Sequence, residues 1–172
     1  MNVREIAAAT VRAAQAGDTA AYGALVEDCW DGLVRFARSI VGDADAEDAV
    51  QEALVAAWRA LPGLQDVAKF RSWVTQIVFR RCLRAQRWWH LRAVLPVARP
   101  VSFAPDPGAA LDVARLLARL PPRQRAVLHL TVVEGMSDTE VAERLSMAAS
   151  SVRAHRRRAR ARLKAIVGEH QP

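Results

Sequence analysis

Residues 136–163, MSDTEVAERLSMAASSVRAHRRRARARL, decide how the C-terminal half of the chain folds. Ser137 is followed three residues later by Glu140, and this spacing predicts a capping box in which each side chain satisfies a backbone N–H group at a helix start. Val141 and Leu145 then give a short helix one apolar face. A brief interruption and a longer basic helix follow, so the stretch predicts a helix-turn-helix.

The second helix of this motif is predicted to run from about Ser150 to Val167, after a break at Ser146 to Ala148, with Ser150 as a candidate cap. From Arg153 to Lys164 it carries seven basic residues and no acidic one. Residues near the start of such a helix reach base edges in the major groove. The expected DNA contacts are Ser150, Ser151, Arg153, His155, Arg156, Arg157 and Arg160. A solvated basic helix is the alternative interpretation.

Outward from this motif, apolar residues recur at helical spacing along most of the chain. In the N-terminal half they predict three amphipathic helices, over Tyr22 to Ile40, Val50 to Leu61, and Phe70 to Val78. Pro62 and Gly63 predict a helix stop and a turn after the second. No sustained alternation typical of strands is present, so the predicted fold class is all-α.

Four prolines lie between Leu91 and Gly108, where periodic apolar residues are few, and they predict a linker rather than a regular helix. Beyond it, Leu111 to Leu120 is predicted to be helical, and Pro122 is expected in the first turn of another helix. We therefore expect two small, separate helical domains, residues 1–90 and 111–172, joined by a proline-rich linker at 91–110.

The net charge of +7 is unevenly distributed. Residues 1–90 contain 11 basic and 11 acidic side chains, whereas residues 91–172 contain 14 basic and 7 acidic ones. Because neutralising phosphates releases condensed counterions, such an excess favours binding to a polyanion. The charge distribution thus indicates a nucleic-acid partner for the C-terminal half.

Residues 43–58, DADAEDAVQEALVAAW, combine an acidic helix start with a polar face. Carboxylates near a helix N-terminus are stabilised by the helix dipole, which explains part of this acidity. Asp48, Gln51 and Glu52 extend further along the helix, on the side opposite Val50. A carboxylate face repels phosphate, so we expect these three residues to bind another protein.

Residues 69–87, KFRSWVTQIVFRRCLRAQR, contain six basic residues and no acidic one. Basic side chains interleaved with aromatic ones suit opened or single-stranded DNA, where phosphates need cations and bases stack. Trp73 is assigned to core packing, because aromatic residues at helical spacing usually pack inward. The expected DNA contacts are Lys69, Arg71, Arg80, Arg81, Arg84 and Arg87.

Several function classes are disfavoured by the same sequence. Cys29 and Cys82 have no metal-ligand spacing and form no disulfide pattern, so no metal site is expected. The four histidines are scattered, and neither a nucleophile elbow nor a glycine-rich phosphate loop is present, so no catalytic residues and no cofactor are expected. No long apolar run or signal peptide is visible, which predicts a cytoplasmic protein without membrane insertion.

Five segments together resemble the extracytoplasmic-function subfamily of sigma-70 family RNA polymerase sigma factors. The segments are DADAEDAVQEALVAAW at 43–58, FRSWVTQI at 70–77 followed by Arg87, LPPRQRAVL at 120–128, EGMSDTEVAERL at 134–145 and RRARARL at 157–163. The resemblance covers roughly residues 20–87 and 110–166. It implies a sigma-2-like helical bundle and a sigma-4-like helix-turn-helix, and a chain that directs RNA polymerase to chosen promoters.

The resemblance also implies partners for each surface. Asp48, Gln51 and Glu52 would bind the beta-prime clamp helices of core RNA polymerase, and the loop from Pro62 to Lys69 would hold a flipped base of the minus-10 element. The helix from Phe70 to Arg87 would guide the opening duplex, and the helix-turn-helix would bind the minus-35 element. The beta flap of the polymerase and an anti-sigma factor are further implied partners.

Four positions depart from the family pattern: Arg80 stands where Asn is common, Ser146 where Gly is common, Ala148 where a capping Ser is common and Arg156 where a buried Leu is common. Promoter preference therefore does not carry over from relatives. The alternative function is a stand-alone helix-turn-helix transcription regulator with a helical N-terminal sensor or dimerisation domain. Such a regulator would need no acidic face for polymerase and would bind its operator unaided.

Overall fold

The computed structural model describes residues 3–92 and 116–168, and the regular secondary structure within these ranges is helical. The all-α prediction is confirmed for this part of the chain. The first range contains α1 (Val3–Gln15), α2 (Thr19–Val41), α3 (Asp43–Ala60) and α4 (Phe70–Arg92), and the second contains α5 (Pro122–Leu128), α6 (Asp138–Leu145) and α7 (Ala149–Gly168).

Helices α2, α3 and α4 pack against one another as the N-terminal bundle. Asp18 caps α2 by accepting hydrogen bonds from the backbone N–H groups of Ala20 and Ala21. Gly42 separates α2 from α3 with a φ of 87°, a conformation that glycine adopts without steric cost. Phe36, fully buried, anchors the centre of the bundle. The three helices predicted from apolar spacing are confirmed.

Helix α1 is an element that the apolar spacing does not predict. Its buried residues include Val11 and Ala14, and Gln15 Nε2 donates hydrogen bonds to the carbonyl oxygens of Leu61 (3.1 Å) and Leu64 (2.7 Å). The loop after α3 is therefore held by a side chain from the start of the protein. Because α1 is rich in alanine, its periodic hydrophobic signal is weak.

The helix-turn-helix is present as predicted. Ser137 Oγ accepts from the Glu140 backbone N–H at 3.3 Å, and Glu140 Oε2 accepts from the Ser137 backbone N–H at 2.8 Å, so the capping box is complete. Ser146 ends α6 in the left-handed region, with a φ of 50°. Helix α7 begins at Ala149, directly after Ala148, so the suggestion that Ser150 caps a late-starting helix was wrong.

Helix α5 connects the two parts of the fold. It continues into a π-helical turn at His129–Val133. On one side, Leu128 packs with Leu120 and Ala159 of α7 in a small cluster. On the other side, Val127 belongs to the main core. Such burial on two sides explains why every residue from 124 to 130 is buried.

The expected separation of the two halves is not what the structure shows. Helix α5 packs against α2, and α6 packs against α4. Buried residues from Val11 through Val152 form one continuous hydrophobic cluster. The physical reason is that the apolar face of α5 is wider than α7 covers, so part of it is buried against α2. Helix α4 also extends to Arg92, and the remainder of the predicted linker, 93–110, lies outside the described residues.

Candidate protein-binding and nucleic-acid interfaces

The acidic face of α3 is exposed, as the sequence predicted. Asp48, Gln51 and Glu52 all have exposed side chains. Val55, one turn further along, is 53% exposed and extends the same face. A large apolar side chain beside exposed carboxylates is typical of a protein-binding surface. The position of Val55, three and four residues after Glu52 and Gln51, is the signal that could have identified it.

The acidic face borders the basic helix α4 directly. Glu52 forms an ion pair with Arg81, so the structure joins two residues that the sequence had assigned to different partners. Near the start of α3, Arg38 of α2 lies 3.2 Å from Asp43 and 3.5 Å from Glu47. These contacts neutralise part of the acidic helix start. Among the described residues, Asp48 forms no ion pair and remains available to a partner.

The basic surface of α4 and the loop before it is also exposed, but parts of it are paired within the chain. The side chains of Lys69, Arg71, Arg80 and Arg84 are exposed, Arg81 is half-buried, and the side chain of Arg87 lies outside the described residues. Arg71 pairs with Asp28 of α2, and Lys69 Nζ lies 3.0 Å from Glu143 Oε1 of α6. The pKa of Lys69 is raised, chiefly by its hydrogen bond to Glu143.

A cleft of about 510 Å³ lies between the loop after α3 and the end of α6. Its walls include Leu64 and Trp73 on one side and Glu143 on the other. Gln76 Nε2 donates to the Glu143 backbone oxygen at 3.3 Å across this cleft. Trp73 is half-buried and packs at a centroid distance of 6.1 Å from Phe70, in agreement with its assignment to packing.

The basic face of α7 carries most of the predicted duplex contacts. Ser150, Arg153, Arg157 and Arg160 are exposed, whereas Ser151, His155 and Arg156 are half-buried. Arg156 Nη1 lies 2.9 Å from Asp138 Oδ1, so this residue joins the two helices of the motif. Burial, followed by the charges of Arg123 and Arg158, lowers the pKa of His155. The structure therefore brings together an exposed cationic face and separates Arg156 from it.

Two polar residues are buried where α5 meets α2. The His129 ring makes an edge contact with Phe36 at a centroid distance of 5.8 Å, and its Nε2 lies 3.4 Å from Glu134 Oε1. Burial is the main cause of a lowered pKa at His129, partly opposed by Glu134. Arg125 is 4% exposed, and its Nε and Nη1 have no hydrogen-bond acceptor among the described residues. Burial lowers the pKa of this guanidinium.

Within residues 3–92 and 116–168, no group of three or more His, Cys, Asp or Glu side chains could hold a metal ion. No helix in these same ranges is long and apolar enough to cross a lipid bilayer.

Two stretches of the chain match families of known function. Residues 25–89 match the family described as Sigma-70 region 2, and residues 110–163 match the one described as Sigma-70, region 4. Over 95% of this chain and 95% of its own length, the RNA polymerase sigma factor NccH of Alcaligenes xylosoxydans xylosoxydans is 33% identical. The ECF RNA polymerase sigma factor SigM of Mycobacterium tuberculosis is 33% identical over 89% of this chain and 80% of its own length. The chain belongs to the extracytoplasmic-function sigma factors.

Solved structures agree with this assignment. CnrH, determined in complex with the cytosolic domain of CnrY, superposes on this sigma factor with a TM-score of 0.71 and 29% identity, covering 96% of this chain and 99% of CnrH. RpoE of Bartonella quintana, determined in complex with the anti-sigma factor NepR, has a TM-score of 0.67 at 21% identity over 87% of this chain and 98% of its own, and supports the fold. The sigma factor therefore contains both helical domains of its family.

Proposed function

We propose that this sigma factor binds core RNA polymerase through the exposed face of α3. Asp48, Gln51 and Glu52 supply polar and acidic contacts to the beta-prime clamp helices, and Val55 supplies an apolar contact between them. The observation that carries this proposal is the exposure of all four side chains on one helical face. Complementary charge on the polymerase would guide association and fix the orientation of the two proteins.

The domain at residues 1–90 is proposed to bind the opened minus-10 element. Its basic side chains line the exposed side of α4 and the loop that precedes it, and this loop is held by Gln15 of α1. Phosphates of a single strand would contact the cations, and a base could enter the adjacent cleft. The residues proposed for this role are Lys69, Arg71, Arg80, Arg81, Arg84 and Arg87.

The domain at residues 111–172 is proposed to bind the minus-35 element as duplex. The exposed cations of α7 favour this role, because they follow a capped helix in the geometry that places a second helix in the major groove. The residues proposed to contact DNA are Ser150, Ser151, Arg153, His155, Arg156, Arg157 and Arg160. Arg156 would act mainly by positioning α7, since it is paired with Asp138.

The proposed setting is the cytoplasm, where polymerase and promoter DNA are found. The sigma factor would supply recognition and no catalysis of its own, and the polymerase would perform the chemistry. The beta flap is the proposed partner of the second domain. Because both CnrH and RpoE were determined with proteins that bind them, we also propose an anti-sigma factor as a regulator of this chain.

Run-off transcription with core polymerase on genomic fragments, followed by mapping of the start sites, tests the function. We expect initiation only when sigma factor and core enzyme are both present. Arg153→Ala should lower promoter use while polymerase binding is retained, whereas Asp48→Ala should weaken polymerase binding. Tight sequence-specific DNA binding by the isolated chain, with no transcription, would instead identify a stand-alone helix-turn-helix regulator.

A further inference from the structure

The packing of α6 against α4 places an acidic side chain on the surface proposed for single-stranded DNA. Glu143 forms an ion pair with Lys69, and its backbone oxygen accepts a hydrogen bond from Gln76. Both partners line the cleft beside the loop after α3. A carboxylate held by Lys69 in this way occupies the cation that a DNA phosphate would otherwise contact.

We propose that the full chain has a closed resting state in which α6 covers the minus-10 surface and the Glu143 carboxylate takes the place of a DNA phosphate on Lys69. This inference depends on the proposed function of the α4 surface. Entry of a single strand requires the Lys69–Glu143 pair to break and α6 to move away from α4. The second domain is thus an intramolecular competitor of promoter DNA.

Apolar packing holds the closed state together. The edge contact between Phe36 and His129 joins α2 to the π-helical turn after α5, and Leu130 in the same turn is buried in the shared core. An exposed ion pair adds little net stability, so the Lys69–Glu143 pair determines which surface is covered more than how firmly it is covered.

Arg125 makes the closed state reversible. It lies one turn before His129 on the same side of the helix, and it is buried without acceptors for two of its guanidinium nitrogens among the described residues. Burying an unpaired charge is unfavourable, and separation of α5 from α2 would return this group to water. The closed packing therefore contains a built-in cost that a binding partner can use to open it.

Carbodiimide cross-linking tests the closed state in the full chain. The reagent joins a paired amine and carboxylate as an amide with loss of water, and Lys69 and Lys164 are the only lysines in the sequence. We expect mass spectrometry of the digested monomer to find a Lys69–Glu143 link. Saturating core polymerase or single-stranded DNA of mixed sequence should lower its yield about tenfold, as expected for a partner that binds only the open form.

Two charge-matched variants sharpen the test. Glu143→Gln should abolish the link and raise the affinity for single-stranded DNA at low salt about two- to fivefold, the range expected for release of an exposed ion pair. Glu27 is exposed on α2, so Glu27→Gln changes the net charge equally and should leave both the link and the DNA affinity near their original values.

The outcomes separate this inference from the proposed function. If no Lys69–Glu143 link forms, or if it persists undiminished while core polymerase is bound, the closed state is wrong although transcription can still occur. Equal gains in DNA affinity for both variants would also overturn it. If core polymerase neither binds nor initiates, the proposed function fails, and the response of the link to single-stranded DNA still decides whether α6 competes for Lys69.

Discussion

Arg156 Nη1 of α7 lies 2.9 Å from Asp138 Oδ1, which belongs to the first turn of α6. This ion pair joins the two helices of the helix-turn-helix at a position where sigma factors of this group commonly have a buried leucine. Asp138 is largely buried, with a side-chain exposure of 17%. A polar contact therefore replaces an apolar one inside the motif, and Arg156 helps to set the angle at which α7 is presented.

Replacing Arg156 should destabilise the motif. Arg156→Ala leaves the Asp138 carboxylate partly buried and without its partner, so we expect the free energy of unfolding to fall by about 1–3 kcal/mol. Arg156→Leu should lose less, because an apolar side chain can fill the same space. Urea unfolding measures both. The matched control is exposed Arg157→Ala, which should lower DNA affinity without a change in stability; equal stabilities for all three variants would contradict the positioning role.

Ser146 ends α6 with a φ of 50°, a conformation that glycine adopts at no steric cost. Ser146→Gly should therefore raise the free energy of unfolding by about 0.5–1 kcal/mol, since relief of the left-handed strain exceeds the added flexibility of the unfolded chain. Ser150→Gly, inside the first turn of α7, serves as the control and should destabilise. Thermal unfolding of the two variants gives the comparison, and loss of stability in both would show that the turn is unstrained.

The stability of the fold should decrease as the pH is lowered below 6.5. Burial lowers the pKa of His129, so between its ordinary value of about 6.5 and its lower folded value the unfolded chain binds more protons. The free energy of unfolding then falls with falling pH in that window. His155, whose pKa is also lowered, acts in the same direction. Urea titrations at several pH values should show a weaker pH dependence for His129→Gln, and an unchanged slope would contradict this assignment.

Val55 should contribute to polymerase binding without contributing to folding. It is exposed beside the acidic face of α3, so Val55→Asp should weaken binding to core enzyme about tenfold while the melting temperature stays the same. Ala56 is also exposed on α3 but points away from this face, and Ala56→Asp is the control with the same added charge. Competition binding with labelled core enzyme measures the effect. A similar loss for both variants would indicate a general charge effect.

Local features could be predicted from sequence because they depend on neighbours along the chain. The capping box of Ser137 and Glu140 needs only their spacing, and the exposed side of α3 follows from the positions of Asp48 and Glu52. Helix α1 was missed because its alanines carry little periodic signal and its role depends on Gln15 reaching a distant loop. The pair between Arg81 and Glu52 was equally beyond sequence reasoning, because it joins two different helices.

The amino-acid order thus sets the helices, their caps, the charge of each face and the family, since all of these depend on residue type at short spacing. The tertiary structure decides which faces meet. Packing of α5 on α2 and of α6 on α4 turns two expected separate domains into one core and brings Glu143 to Lys69. An apolar face must be buried, but its pattern does not say against which partner, and that choice depends on the shapes of distant surfaces.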